Sequence, residues 1–522
     1  MNSIKKQFAE TYNDLIKKLS NIFSKKNLIF IGIFIIVGLL IHAELIIREV
    51  SNPDSIASGY VRDVGEREVS LGRWLLVILS NIRFNFSTPL ISTFLAIVIT
   101  NISTLFIIDL FNIKKNTNKI LLAVFLLSTP AFVGTLSFFY CSSEYALSML
   151  FSILIPWCVF KIENKKYSII LASVFLCLSM AIYQSYIGVA IGTYLIKIIQ
   201  QLFNSKKDTY NVKKVLKDIF YIFLIILIGF ALYAVTSEIA LKIFKTDTSN
   251  FRGANNVSII NSIVNFPQSI FNAYKDFFDL FFSKQILRNS VYHRQFINLA
   301  LFIILLVIVT FKNINEKKYT EYIIQIVLLI LLPLAFNIIV FIATGETVRV
   351  MMAHGMFMIF VLLITLLDHY KIKVVNFIAI IFLIILIETY IISMNATYVS
   401  WGLTKNQTLF TAEKILEEIE ENGIYNENRK LCIVGNITIN KNNGIYRMTL
   451  RDMSEYGFFW PIERQYRSWG NLFNNYFGYT FNFVTEKEYD RIISSEDFKN
   501  MEKFPNEGAI KVINNIIVVK LR

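Results

Sequence analysis

Signatures of nucleotide and metal chemistry are missing from this 522-residue sequence. It contains no GxGxxG, Walker A loop, HExxH or CxxC, and no Asp-x-Asp of the kind that holds a metal-bound nucleotide sugar. An ATP-driven or nucleotide-binding activity therefore has no visible site, and the cofactor is left open, a divalent metal included. Cysteine is scarce: Cys141, Cys158, Cys177 and Cys432 are the full set, three of them in or beside apolar runs. That pattern indicates neither a disulfide framework nor a zinc site. Charge is thin at 17%, against roughly a quarter in soluble proteins. Proline occurs only 8 times.

What is present is apolar. The chain is 55% hydrophobic with 46 phenylalanines, and its mean hydropathy is +0.52. The net charge of +14 suggests nucleic acid at first sight. The lysines, however, fall in short clusters between apolar runs, the pattern of loops held at an anionic leaflet, and nucleic-acid binding is excluded on that ground.

A span needs about 20 apolar residues. Runs of this kind cover 28–47, 89–111, 120–139, 145–160, 168–203, 216–241, 296–311, 322–343, 350–367 and 374–394. The run 168–203 is too long for one helix and breaks at Tyr183-Gln184-Ser185, which makes about eleven spans. With a cytoplasmic N-terminus, every second connection is basic: Lys114, Lys115 and Lys119; Lys161, Lys165 and Lys166; Lys206, Lys207, Lys213 and Lys214; Lys312, Lys317 and Lys318; Lys371 and Lys373. The turns 140–144 and 183–185 carry no lysine or arginine. The positive-inside rule then places the C-terminus outside.

The expected fold class is an α-helical polytopic membrane protein with a small C-terminal extracytoplasmic α/β domain. Residues 1–27 form a cytoplasmic amphipathic segment and 28–395 the transmembrane domain, with outside loops 48–88 and 245–292. Residues 396–522 form the C-terminal domain. The N-terminus reads as an uncleaved first span, with no cleavage site after its apolar run. In the second loop, Ile259, Ile263, Phe266, Ile270, Tyr274, Phe277 and Phe281 make one apolar stripe, an interfacial helix over 257–282 bent at Pro267. In the last domain, Leu409, Ala412, Leu416 and Ile419 line a helix face that Gly423 can end, with strand-like runs at 431–434 and 513–521.

Polar groups at membrane depth are costly and mark candidate sites. Asp54, in Asn52-Pro53-Asp54, reads as a base for an incoming hydroxyl or as an ordinary turn residue after proline. Glu68 carries the same two readings. Arg73, in Leu71-Gly72-Arg73-Trp74, suits a phosphate or is an interfacial arginine beside a belt tryptophan. Glu144 is either an acid favoured by a helix N-terminus or a sugar ligand. Tyr183 and Gln184 can bond hydroxyls but are also common interface residues. Arg349 suits a lipid phosphate or snorkels to the surface. His354 reads as packed rather than basic, and Glu388 as a structural hydrogen-bond partner.

The order Asn52-Pro53-Asp54, Leu71-Gly72-Arg73-Trp74, Ser142-Ser143-Glu144-Tyr145 and Tyr183-Gln184-Ser185-Tyr186 resembles the GtrII-type glucosyltransferases of bacteria, over roughly 28–395. The resemblance implies a GT-C architecture in the bacterial cytoplasmic membrane. It implies a sugar, glucose by the family name, taken from a polyprenyl-phosphate carrier and passed to a cell-surface glycan. By the same resemblance Asp54 becomes the favoured base, with Glu44 and Glu68 as further carboxylates. Arg73 and Arg349 become phosphate ligands. The implied partners are the lipid-linked donor, the glycan acceptor and membrane lipid. Two other classes stay open: a flippase or transporter for a lipid-linked saccharide, and a glycan polymerase or ligase. Polar groups gathered on one face and few mid-membrane charges favour an enzyme over a transporter.

Overall fold

The computed structural model describes residues 2–521 except 63, 208, 250–264, 284–293, 342–347, 427, 438–443, 446–447 and 451–461, with backbone alone at 2–6, 8 and 462–465. Helix dominates, and among the described residues eight helices are long and apolar enough to cross a membrane. They are Pro89–Phe111, Ser142–Lys161, Lys165–Ile182, Gln184–Asn204, Val212–Phe244, Arg294–Asn315, Tyr319–Phe336 and Lys373–Glu421. These helices mark the chain as a membrane protein.

Three further apolar segments depart from simple spans. Ala9–Ile22 and Lys25–Ile41 meet at 51°, and Asn116–Ser128 and Pro130–Ser137 at 44°. The second break corrects the single helix expected over 120–139. Pro130 lacks an N–H and pushes Thr129 out of helical geometry, and the Thr129 hydroxyl then accepts from Phe132 N at 3.2 Å. The third, His354–His369, is shorter, and every residue from His354 to Asp368 is buried. A helix apolar on all sides belongs inside the bundle. Its neighbour is Ile187–Asn204. The two meet through Gly188 and Gly355, where a Cβ would lie 2.2 Å and 2.7 Å from the Phe336 carbonyl oxygen.

The break expected at Tyr183 is present. Lys165–Ile182 ends, Tyr183 is extended (φ −159°, ψ 113°), and a short 3-10 turn over Gln184–Tyr186 starts the next helix. Lys197, toward the far end of the second helix, donates to Leu110 O, next to the Asp109 that pairs with Lys161 just before the first helix, so the connections at the far ends fall on one side of the bundle.

In the second loop, Ile259 and Ile263 lie outside the described residues. The described helix runs Phe266–Phe282 with Pro267 in its first turn, and the part before it, on which the expected bend depends, lies outside the described residues. Phe277 and Phe281 are buried, Phe277 against Phe302 and Phe336 and Phe281 against Phe302 and Phe360.

The helix Lys373–Glu421 continues unbroken for 49 residues, so the boundary expected at 395/396 falls inside it. Gly423 (φ +61°) ends its last turn, with Ile424 N donating to Ile419 O. Beyond it lies a four-stranded sheet of order β2-β1-β4-β3, made of β1 (Lys430–Val434), β2 (Asn482–Phe483), β3 (Ile510–Ile513) and β4 (Ile516–Lys520). β1 pairs in parallel with β2 and β4, and β3 runs antiparallel to β4. The run 513–521 is thus not one strand. Asn514 and Asn515 both take positive φ (48° and 61°) and turn the chain into a hairpin. Ala412, Ile415 and Ile419 pack on Leu431, Ile433, Ile517 and Val519, so the long helix supplies part of this domain's core.

Candidate functional site

The loop 48–88 folds into three short helices, Pro53–Ser58, Glu66–Ser70 and Trp74–Ile82. Asn52 caps the first, its Oδ1 accepting from Ser55 N at 2.9 Å. Asn52 N and Ser55 Oγ both donate to the Ser137 carbonyl, at 3.2 Å and 2.9 Å. These bonds pin the helix to the end of Pro130–Ser137 and place Asp54, half-buried, in its first turn.

Beyond it, arginine and tyrosine alternate. The Arg62 guanidinium lies 4.0 Å above the Tyr140 ring and 2.5 Å from Glu68 Oε1. The other Glu68 oxygen accepts from Gly65 N at 3.2 Å, so both oxygens of this buried carboxylate are engaged in holding the loop. Arg83 pairs with Glu144 at 2.6 Å and donates to Tyr140 O at 3.1 Å, while Ser143 Oγ donates to Glu144 Oε2 at 2.9 Å. Burial raises the Tyr140 phenol, with Cys141 and Asp54 adding to the rise and Arg62 opposing it. Burial likewise pushes the Cys141 thiol up to about 12.

Arg73 differs from its neighbours. Its guanidinium sits 4.7 Å from the Tyr183 ring centre, and Tyr183 stacks on Tyr145 at 4.7 Å. Among the described residues no carboxylate pairs with it, and its buried Nε has no acceptor. The turn before it is tightly built. Gln184 Nε2 donates to Leu71 O at 2.7 Å and to the Tyr233 hydroxyl at 2.9 Å, and that hydroxyl donates to Gly72 O at 3.2 Å. Gly72 has φ +75°, and a Cβ there would lie 2.1 Å from the same hydroxyl, so only glycine fits.

Six of the seven site residues expected from sequence therefore meet at one end of the bundle: Asp54, Glu68, Arg73, Glu144, Tyr183 and Gln184. The structure divides their work. Glu68 and Glu144 neutralise Arg62 and Arg83, Gln184 holds the Leu71–Gly72 turn, and Tyr183 is the platform for Arg73. The seventh, Arg349, is exposed ahead of the turn Val350–Met352. That turn packs against Pro130–Ser137, where a Cβ on Gly134 would lie 2.9 Å from Met351 Cα. The preceding Thr344–Thr347 lie outside the described residues. His354 is buried, with Nε2 2.9 Å from the Thr135 hydroxyl, as a packed histidine should be. Glu388 is exposed on its helix.

Sequence reading missed Arg62, Arg83 and Tyr140. The available signal was arginine on a loop assigned outside, where the positive-inside rule expects few cations. It also missed Arg294, 3% exposed, whose Nη2 donates to Ser393 Oγ at 3.0 Å while Nε and Nη1 have no acceptor among the described residues. Among the described residues no three His, Cys, Asp or Glu side chains are grouped to hold a metal ion.

A family model described as glucosyl transferase GtrII matches residues 45–360, more than half of the chain. The match takes in the whole arginine–tyrosine layer and stops before the 49-residue helix and the sheet domain. No curated protein and no solved structure matches the chain.

Proposed function

The chain belongs to the glucosyl transferase GtrII family, and from that premise we propose that it moves glucose from a polyprenyl-phosphate carrier to a cell-surface glycan on the extracytoplasmic face of the bacterial membrane, within a GT-C architecture. The observation that carries the reading is Arg73: a guanidinium stacked on Tyr183, with a buried N–H that has no acceptor among the described residues, on the same loop as the half-buried Asp54. Such a group suits a phosphate, which accepts several N–H bonds at once.

The side follows from charge. The lysine-bearing connections meet at the opposite end of the bundle, where the Asp368 carboxylate accepts from Lys114 N and Lys115 N, both at 2.9 Å. With that end cytoplasmic, the Arg73 layer and the sheet domain face out. The donor's lipid tail lies among the apolar helices and its phosphate at Arg73.

In the reaction, Asp54 takes the proton of an acceptor hydroxyl. The freed oxygen lone pair forms a bond to the sugar's anomeric carbon, and the bond from that carbon to the phosphate oxygen breaks. Polyprenyl phosphate leaves with the electron pair, its charge held by Arg73. One base and one displacement invert the anomeric centre. Glu68 and Glu144 keep Arg62 and Arg83 neutralised, whereas among the described residues no carboxylate pairs with Arg73, and this cation is offered to the donor.

Reconstituted protein supplied with polyprenyl-phosphate-[14C]glucose and surface glycan tests this directly. Label should pass to the glycan. Carrier movement across the vesicle without any transfer would overturn the reading in favour of a flippase.

A further inference from the structure

The sheet domain lies outside the family match, yet it touches the loop that carries Asp54. Asn471 Nδ2 donates to Ile56 O at 3.1 Å and to Ala57 O at 3.0 Å, capping the end of the helix Pro53–Ser58. Lys405, on the long helix, donates to Arg48 O at 3.2 Å and Glu49 O at 3.3 Å. Its ammonium is 5.4 Å from the Tyr476 ring centre. Between these ties lies a shallow cleft, half open to solvent. The helix Pro53–Ser58 forms one wall, through Ser55 and Ile56. Asn471, Asn475 and Tyr476 form the other, with Tyr60 and Glu49 at the edges.

The lining has the chemistry of sugar recognition. Tyr60 packs beside Phe139 at 6.2 Å, and Tyr476 is 42% exposed, so each offers a ring face with a hydroxyl at its edge. A pyranose presents an apolar C–H face to such rings and a rim of hydroxyls to amides and carboxylates. Exposed Asn475 supplies an amide, and the Glu49 carboxylate, 3.9 Å from the Lys405 ammonium, supplies further acceptors. Because Ser55 and Ile56 line the cleft, an occupant lies against the short helix that carries Asp54.

We propose that this cleft binds the acceptor glycan, and that Asn475 and Tyr476 of the sheet domain choose which glycan is used. The word acceptor rests on the transferase reading, whereas glycan binding does not. The probe is surface polysaccharide released by mild acid from cells of the source strain. It is offered to the full-length protein in detergent and followed by saturation-transfer NMR. Wild type should bind, and Asn475→Ala with Tyr476→Ala should weaken binding by about tenfold or more, the scale of losing a stacked ring and a hydrogen bond. Asn475→Ala alone, at an exposed position, should show part of the loss with an unchanged melting temperature. In the transfer assay the double variant should raise the acceptor KM and leave the donor KM unchanged. Equal binding by wild type and double variant, or none by wild type, would overturn the proposal. Binding that depends on Tyr476 without sugar transfer in wild type would sink the transferase reading and leave the glycan site standing.

Discussion

The two ends of the helix bundle use charge in opposite ways. At the lysine-rich end, cations close helix ends. Lys115 Nζ donates to Leu367 O at 2.7 Å, Lys197 Nζ to Leu110 O at 2.7 Å, and Lys161 pairs with Asp109 at 3.2 Å. Each ammonium meets carbonyls or a carboxylate at a helix C-terminus, where the dipole favours it. At the other end Arg62 and Arg73 lie over the Tyr140 and Tyr183 rings, and the buried Glu68 and Glu144 neutralise Arg62 and Arg83, while among the described residues no carboxylate pairs with Arg73. Lysine suits the first task as a compact point charge. Arginine suits the second, because its flat fork both stacks and takes two phosphate oxygens. One end completes the protein's own structure, and the other leaves an interaction for a ligand to complete.

That contrast breaks most sharply at Asp54. Asp54→Asn should lower kcat by about 10²- to 10⁴-fold while leaving donor binding intact. A near-normal kcat in a correctly inserted variant would remove Asp54 as the base. Gly72→Ala comes next, because it strains φ +75° and drives a methyl into the Tyr233 hydroxyl. It should cost about 1–3 kcal/mol of stability and misplace Arg73. Raised melting would show that the turn is not tight. At the opposite end, Asp368→Asn should lose about 1–3 kcal/mol through its bonds to Lys114 N, Lys115 N and Asn118. Its kcat should not change, and a transfer defect there would blur the distinction between the ends. The smallest effect concerns Cys141. With its thiol pushed up to about 12 by burial, it should resist maleimide at pH 8. Fast labelling would mean the layer is open to water.

Much of this contrast is legible in the residues themselves. Apolar runs and lysine spacing locate the helices and group the loops, because both follow from transfer free energies local to each segment. The break at Tyr183 was readable for the same reason. Pairings were not. Nothing in the spacing says that Glu144 reaches Arg83, 61 positions earlier, or that Glu68 is consumed by Arg62; both depend on how a loop folds back on helix ends. The Asn514–Asn515 hairpin was readable from its turn chemistry yet is easily missed inside a continuous apolar run. The cleft was not readable at all, since its walls come from residues 49–60 and 471–476, brought together only by a helix that runs from the membrane into the sheet domain.

The most direct test lies in Arg73. With polyprenyl-phosphate-[14C]glucose as donor, Arg73→Gln should reduce transfer by about 10²- to 10³-fold. Arg73→Lys should recover only part of it, and Lys115→Met at the other end should keep full activity. Transfer at the wild-type rate by Arg73→Gln, in protein that melts normally, would contradict the claim that this end holds an unpaired cation for the donor's phosphate.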